Sequence, residues 1–271
     1  MLASSPVRIR LHRITYRAYR KGASRVRNML DIFIHIPKTG GTSFNRLIQD
    51  HYSANRIAFL HDDPEWSFER LIEKCKDKNQ KIKIVSGHFP YGIHEWIGRP
   101  YRYITILRNP VELVISLYDY IRSIPLHQYY HLVVDKSLHE FISDQQFDLF
   151  TSNLQSKLLG LATVFPYFPA LHNEVGVENA IFPDHASVQQ HLRRHFACVG
   201  VTDKYKECLQ PMRDALGWKR SPKLYRENSN PNRTSLDTLD RDTIEKIARK
   251  NSLDIQLYSI VVERWYSSKG K

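Results

Sequence analysis

The sequence predicts an α/β fold of three layers, with a central, mainly parallel sheet, helices on both of its faces and a helical elaboration in the middle of the chain. Three observations carry this. Short apolar runs rich in β-branched residues (32–36, 81–86, 101–107 and 196–201) are each followed by a turn and most by a helical pattern. The first of them ends in a proline and a pair of glycines that lead straight into a helix start. And 271 residues with 42% hydrophobic content are enough to bury one large core, with no repeat or linker visible after residue 30.

The elements follow in order. Residues 1–30 form a basic tail. It holds Arg8, Arg10, Arg13, Arg17, Arg20, Lys21, Arg25 and Arg27 and no acidic residue, eight of the net +12 charges, which leaves +4 for residues 31–271. Leu11, Ile14 and Ala18 lie at helical spacing among these arginines. A poorly ordered tail is the plainest expectation; contact with an anionic membrane surface, contact with nucleic acid and an organellar transit peptide are the others. Residues 31–271 are expected as one domain. Ile32, Ile34 and Ile36 mark the first strand, and Pro37 ends its ladder because it has no N–H to donate. Gly40 and Gly41 accept backbone angles that other residues resist. Thr42 or Ser43 then opens a helix with Phe44, Leu47 and Ile48 on its apolar face.

That junction is an anion site in outline. Backbone N–H groups and the positive end of a helix dipole converge there, Lys38 adds a mobile ammonium, and Thr39, Thr42 and Ser43 add hydroxyl donors. It is not a Walker A loop, because the lysine precedes both glycines and the loop is shorter. A phosphate-like group held without a nucleotide-bound metal is the expected occupant.

Further along, Arg56–Leu60 reads as a short strand, HDDPEW as a turn, and Glu65 to about Lys78 as a helix. Lys81–Ser86 is the second long strand. The glycine after it places His88 at a strand's C-terminal end, where open α/β sheets bind ligands. His94 is the alternative histidine, and His35, inside a strand, is expected to be structural. Tyr101–Leu107 is a strand, capped through Asn109 and Pro110 into the helix VELVISLYDYIRS. Residues 123–195 are expected to be mostly helical, including SLHEFIS and FDLFTSNLQSKLLG. Phe196–Val201 is a strand, and Thr202 or Asp203 caps a helix that Gly217 ends and that Pro211 should kink or break. A last helix from about Leu239 to Trp265 is interrupted near Asn251. The three cysteines lack metal spacing and read as free thiols of a reducing compartment.

HIPKTGGTSF resembles the 5′-phosphosulfate loop of the sulfotransferases, in the branch containing the heparan sulfate 2-O- and 6-O-sulfotransferases and their bacterial relatives. The resemblance implies a P-loop-like fold and 3′-phosphoadenosine 5′-phosphosulfate as co-substrate, with no metal. Lys38, Thr39, Gly40, Gly41, Thr42 and Ser43 would hold the 5′-phosphosulfate, and Lys38 would stabilise the leaving oxygen. Arg108 and Ser116, eight apart across a strand–helix junction, are similar to the family's 3′-phosphate motif. His88 would be the general base. Asn153, Gln155 and Lys157 resemble an N-x-Q-[ST]-[RK]-x-L signature near the cleft. Asn228, Asn232 and Arg233 fall in a loop whose family counterpart closes over the nucleotide, and the aromatic, proline-rich stretch 164–176 would border the acceptor.

The implied activity is sulfuryl transfer to a hydroxyl of a glycan, lipid or small molecule, with a carbohydrate among the candidate acceptors and no nucleic acid partner. The family's animal Golgi members carry a membrane anchor; no run of some eighteen apolar residues and no signal peptide occurs here, so the expectation is a cytoplasmic, bacterial enzyme. Two other classes fit parts of the pattern: a nucleotide-binding module without catalysis, against which the pairing of Lys38 with His88 argues, and a nucleotide kinase on a related fold, against which the loop order argues.

Overall fold

The computed structural model describes residues 29–60, 68–77, 81–160, 184–225 and 233–267. The basic tail up to residue 28, the HDDPEW turn, the stretch 164–176 and Asn228 and Asn232 lie outside the described residues. In chain order the elements are β1 (Leu30–Ile34), α1 (Gly41–His51), β2 (Ile57–Leu60), α2 (Phe68–Lys76), β3 (Ile84–Gly87), α3 (Ile93–Ile97), β4 (Tyr101–Leu107) and α4 (Pro110–Ser123). After them come the short helices α5 (Tyr130–Val133), α6 (Leu138–Ser143), α7 (Asp148–Thr151) and α8 (Leu154–Gly160). The chain continues with α9 (His185–His195), β5 (Phe196–Val201), α10 (Tyr205–Leu216), α11 (Arg241–Lys250) and α12 (Ser252–Ser267).

The five strands form one sheet in the order β2-β3-β1-β4-β5, every pair parallel. Parallel strands are covered on both faces, so their sequences are near-continuous apolar runs, and all five residues of β1 are buried. Asp31 is the polar exception. Burial pushes its pKa up, and the bonds its carboxylate accepts from Arg102 Nε (2.5 Å) and Tyr52 OH (2.8 Å) partly offset that. A second apolar cluster, with Val114, Ile115, Tyr118, Phe141, Ile142, Phe147 and Ile247 in it, forms the helical elaboration between α4, α6, α7 and α11.

The sheet sets the position of the site. After β1 the chain crosses to β2 on one side, and after β4 it continues to β5 on the other. Adjacent strands whose connections leave in opposite directions open a crevice at their C-terminal ends. Here those strands are β1 and β4, with β3 on β1's other flank. Ile34 is in register with Gly87 of β3 and with Thr105 of β4, so the three strands end at one level. Thr105 Oγ1 donates to Ile34 O (2.9 Å) and His35 N donates to Gly87 O (2.9 Å), which pins that level.

Several expected boundaries shift. β1 begins and ends two residues earlier than its isoleucines suggested, and β3 ends at Gly87. The first helix begins at Gly41 with Gly40 at the cap in the left-handed region (φ 81°), and neither Thr42 nor Ser43 caps it. Nor does a side chain of Thr202 or Asp203 cap α10; a 3-10 turn over Thr202–Lys204 precedes it, and Asp203 accepts from Tyr258 OH (2.6 Å) instead. The break expected at Pro211 does not occur. Helix α10 runs through it, because Cys208, Leu209, Met212 and Leu216 bury one face and that packing outweighs one missing N–H. The last helix is two, α11 and α12, divided at Asn251.

Gly41 carries a packing constraint of its own. A Cβ at that position would fall inside the His35 ring. Gly41→Ala is expected to lower unfolding stability by about 1–3 kcal/mol, the usual effect of overpacking a closed core, read by urea titration. A neutral result would show that His35 can move aside.

Candidate active site

The loop after β1 is built from the backbone inward. Thr39 is fully buried and its Oγ1 donates to Ile36 O (2.8 Å), so its hydroxyl shapes the loop. Lys38 (φ 63°) and Gly40 (φ 81°) both take left-handed backbone angles. For a lysine this costs about 1–2 kcal/mol and persists only where surroundings impose it. The imposing contact is Arg108, whose Nη1 donates to Lys38 O (2.9 Å). Since no side chain caps α1, the N–H groups of its first turn, at Gly41 and Thr42, have no intrahelical acceptor. Thr42 is exposed at the mouth, and Ser43 is buried.

The Lys38 ammonium lies 3.9 Å from the centre of the Tyr120 ring on α4. Burial, and then the charge of Arg108, pull its pKa from 10.5 down to about 8, and Asp119 opposes them. The lysine is therefore held over a ring and beside a like charge, poised for an anion to relieve it.

Arg108 follows β4, next to β1. Its backbone is held by a reciprocal pair: Arg108 N donates to Gln155 Oε1 and Gln155 Nε2 donates to Arg108 O, both 2.9 Å. Gln155 is itself fully buried, and Asp254 of α12 accepts from the N–H groups of Gln155 (2.9 Å) and Ser156 (2.6 Å). The guanidinium points along α4, with Nε and Nη2 each 3.5 Å from Glu112 Oε2. Arg233 Nη2 reaches the same oxygen at 2.8 Å. Burial and then Arg233 lower the Arg108 pKa, and Glu112 opposes them. Thr234 binds Asp119 through its N–H (2.9 Å) and hydroxyl (2.7 Å), which lays the segment along the same helix. Glu112, Ser116 and Tyr120 are spaced four apart, so the half-buried Ser116 lies on this face between the Arg108 end and the Lys38 end.

His88 follows β3. Its Nδ1 lies 2.5 Å from His35 O, and its ring is 4.3 Å from the His35 ring, which packs against Gly41. A carbonyl only accepts, so Nδ1 carries a proton; in the neutral imidazole the lone pair is then on Nε2. His94 is elsewhere. Its Nδ1 lies 2.9 Å from Tyr103 OH, and its ring sits 4.0 Å from Tyr101 and 5.4 Å from His195, near the N-terminal end of β4. Burial, and then His195 and His191, lower its pKa to about 4.

Lys38, Thr39, Gly40, Gly41, Thr42, Ser43, His88, Arg108, Ser116 and Arg233 thus gather around one sheet edge. Two other candidates do not line it. Asn153 Oδ1 accepts from Leu253 N (3.0 Å) and Asp254 N (3.2 Å), capping α12, and Lys157 Nζ donates to Asp148 O (2.9 Å). The residues missed were Glu112, Asp119 and Tyr120; their signal was the helical spacing behind Arg108. Among the described residues one cluster, His139, Asp240 and Asp242, brings ligand atoms within 4.8 Å of one another. Asp240 is already the cap of α11, and Lys246 Nζ lies 3.5 Å from His139 Nε2, so a cation there would meet an ammonium.

The model of the family described as "Sulfotransferase family" matches residues 31–259. The chain belongs to the sulfotransferase family. Among curated proteins this sulfotransferase is 27% identical over 106 residues to heparan sulfate 2-O-sulfotransferase 1 of Homo sapiens, covering 35% of the chain and 30% of that protein. The Gallus gallus protein of the same name is 28% identical over 102 residues, 34% of the chain and 29% of that protein. The match thus spans under a third of these relatives' length. A solved structure, mouse sulfotransferase SULT7A1 complexed with PAP, overlaps 84% of this chain and 65% of its own, with TM-score 0.38 and 15% identity.

The Lys38 environment predicts a pH effect. The folded protein releases this proton near pH 8 and the unfolded chain near 10.5, so the unfolded state binds more protons in that window. Stability attributable to Lys38 should therefore rise from pH 8 to 10.5 and stay flat below. The check is the difference in urea stability between the parent and Lys38→Met across that range; a constant difference would contradict the depressed pKa.

Proposed function

We propose that this sulfotransferase moves the sulfuryl group of 3′-phosphoadenosine 5′-phosphosulfate to a hydroxyl of an acceptor. The observation that carries the reading is the 2.9 Å bond from Arg108 to the carbonyl of Lys38. It supports a reading in which the loop suited to the 5′-phosphosulfate and the arginine suited to the 3′-phosphate serve one nucleotide.

In this reading the donor's 5′ end lies against the N–H groups of the loop and first turn, Gly41 and Thr42 among them, with Thr42 and Ser43 beside it. The 3′-phosphate is gripped by Arg108 and Arg233, with Ser116 along the helix. Arginine forks match phosphate oxygens and stay charged at working pH. His88 Nε2 takes the proton of the acceptor hydroxyl, and the freed oxygen attacks sulfur in line. The bond from sulfur to the bridging phosphate oxygen breaks, and its electron pair leaves with adenosine 3′,5′-bisphosphate. Lys38 leaves the Tyr120 ring to meet the charge on that oxygen. As in phosphoryl transfer, positioning and fixed charge supply most of the rate.

The acceptor we favour is a carbohydrate hydroxyl, by analogy with the heparan sulfate enzymes among the relatives. Among the described residues no helix is long and apolar enough to cross a membrane. The three cysteines are free thiols, which supports the cytoplasmic assignment; peripheral membrane contact through residues 1–30 stays part of the proposal.

The test is transfer of labelled sulfate from the donor to a panel of glycans, lipids and small alcohols. His88→Ala should lower kcat by about 10²–10⁴-fold with donor KM within a few-fold. Arg108→Ala should weaken donor binding by roughly 10–100-fold. Unchanged turnover in the first, or equal affinity of the parent for nucleotides with and without the 3′-phosphate, would overturn these roles.

A further inference from the structure

Glu112 stands where the proposed donor should not want it. One carboxylate oxygen contacts two arginines, 2.8 Å from Arg233 and 3.5 Å from Arg108, in the place assigned above to the 3′-phosphate. The local fold does not need this carboxylate. Asn109 already caps α4, accepting from Val111 N (3.0 Å) and Glu112 N (3.3 Å). Asp119 holds the neighbouring Thr234 on its own. The three side chains are only partly exposed, 13% for Arg108, 29% for Glu112 and 40% for Arg233, so their charges act on one another through a medium less screening than bulk water.

We propose that Glu112 is a resident competing anion of the 3′-phosphate site. This rests on the donor reading and adds to it. With the site empty, Glu112 neutralises part of the arginine pair. An arriving phosphate must share or take over those donors against a like charge, and on release Glu112 takes them back. Two arginines and one carboxylate leave the site at +1, which still attracts a phosphate but holds it less tightly than a bare pair at +2. Glu112 thereby limits affinity for the spent nucleotide and speeds its departure, and it does so through the 3′-phosphate alone.

The experiment measures affinity and dissociation rate of adenosine 3′,5′-bisphosphate and of adenosine 5′-monophosphate for the full chain, for Glu112→Gln and for Glu112→Ala, with thermal melts alongside. Both variants should bind the bisphosphate on the order of tenfold more tightly, with correspondingly slower release. Affinity for the monophosphate should stay within about twofold, since it lacks the group that meets Glu112. Glu112→Ala guards against an effect peculiar to the amide. If the parent discriminates the two nucleotides but neither variant gains affinity for the bisphosphate, or either loses it, Glu112 merely orients Arg108 and the inference fails alone. If the parent does not discriminate them, the arginine pair is not a 3′-phosphate site, and the donor reading fails with the inference.

Discussion

The structure depends on the parallel pairing of β1 between β3 and β4. Ile34 is level with both Gly87 and Thr105, so three chain segments leave the sheet at one edge. Neighbouring strands lie about 5 Å apart. The residues after those strands, Lys38 beyond β1, His88 beyond β3 and Arg108 beyond β4, are drawn together from positions up to 70 residues apart. A slip of one residue in any of these pairings would turn the strand's apolar side chains to the wrong face, so core packing and site geometry are enforced by the same register.

Around that edge the protein concentrates positive charge and then restrains it. Lys38, Arg108 and Arg233 share a small space, and burial raises the cost of the first two charges. The compensation is local: a ring for the lysine, Glu112 for the arginines, Asp119 nearby. A left-handed lysine is kept in place by an arginine that is itself kept in place by a buried glutamine, which in turn hangs from a buried aspartate on α12. The far end of the chain therefore stiffens the loop after β1, and residues of the C-terminal half supply rigidity to a segment they never adjoin in sequence.

Much of this was legible beforehand. The loop HIPKTGGTSF announces a strand that turns into a helix, because proline and paired glycines follow an apolar run, and the turn falls where they stand. The Asn109–Pro110 cap and the helix behind Arg108 were equally plain, since caps and helical spacing act within one turn of chain. Less legible was how the hydroxyls would be used. Thr39 turns inward to Ile36 O, the helix begins at Gly41 with left-handed Gly40 as its cap, and the His35 ring leaves no room for a side chain at Gly41. The signature around Gln155 was visible as a pattern, yet its members part ways: Gln155 braces Arg108, while Asn153 caps a helix and Lys157 serves the packing of α7.

The sequence by itself determined the strands, the order along the chain of the segments that carry Lys38, His88 and Arg108, and membership of the sulfotransferase family, because each is written in short-range patterns of size, polarity and backbone freedom. Only the tertiary structure decided that Arg108 touches Lys38, that His88 Nδ1 donates to the carbonyl of His35, and that Glu112 sits between two arginines. Those are contacts between residues distant in sequence, or choices among rotamers of one helix face, and they are settled by sheet order and by the competition for space and charge that begins once the elements pack.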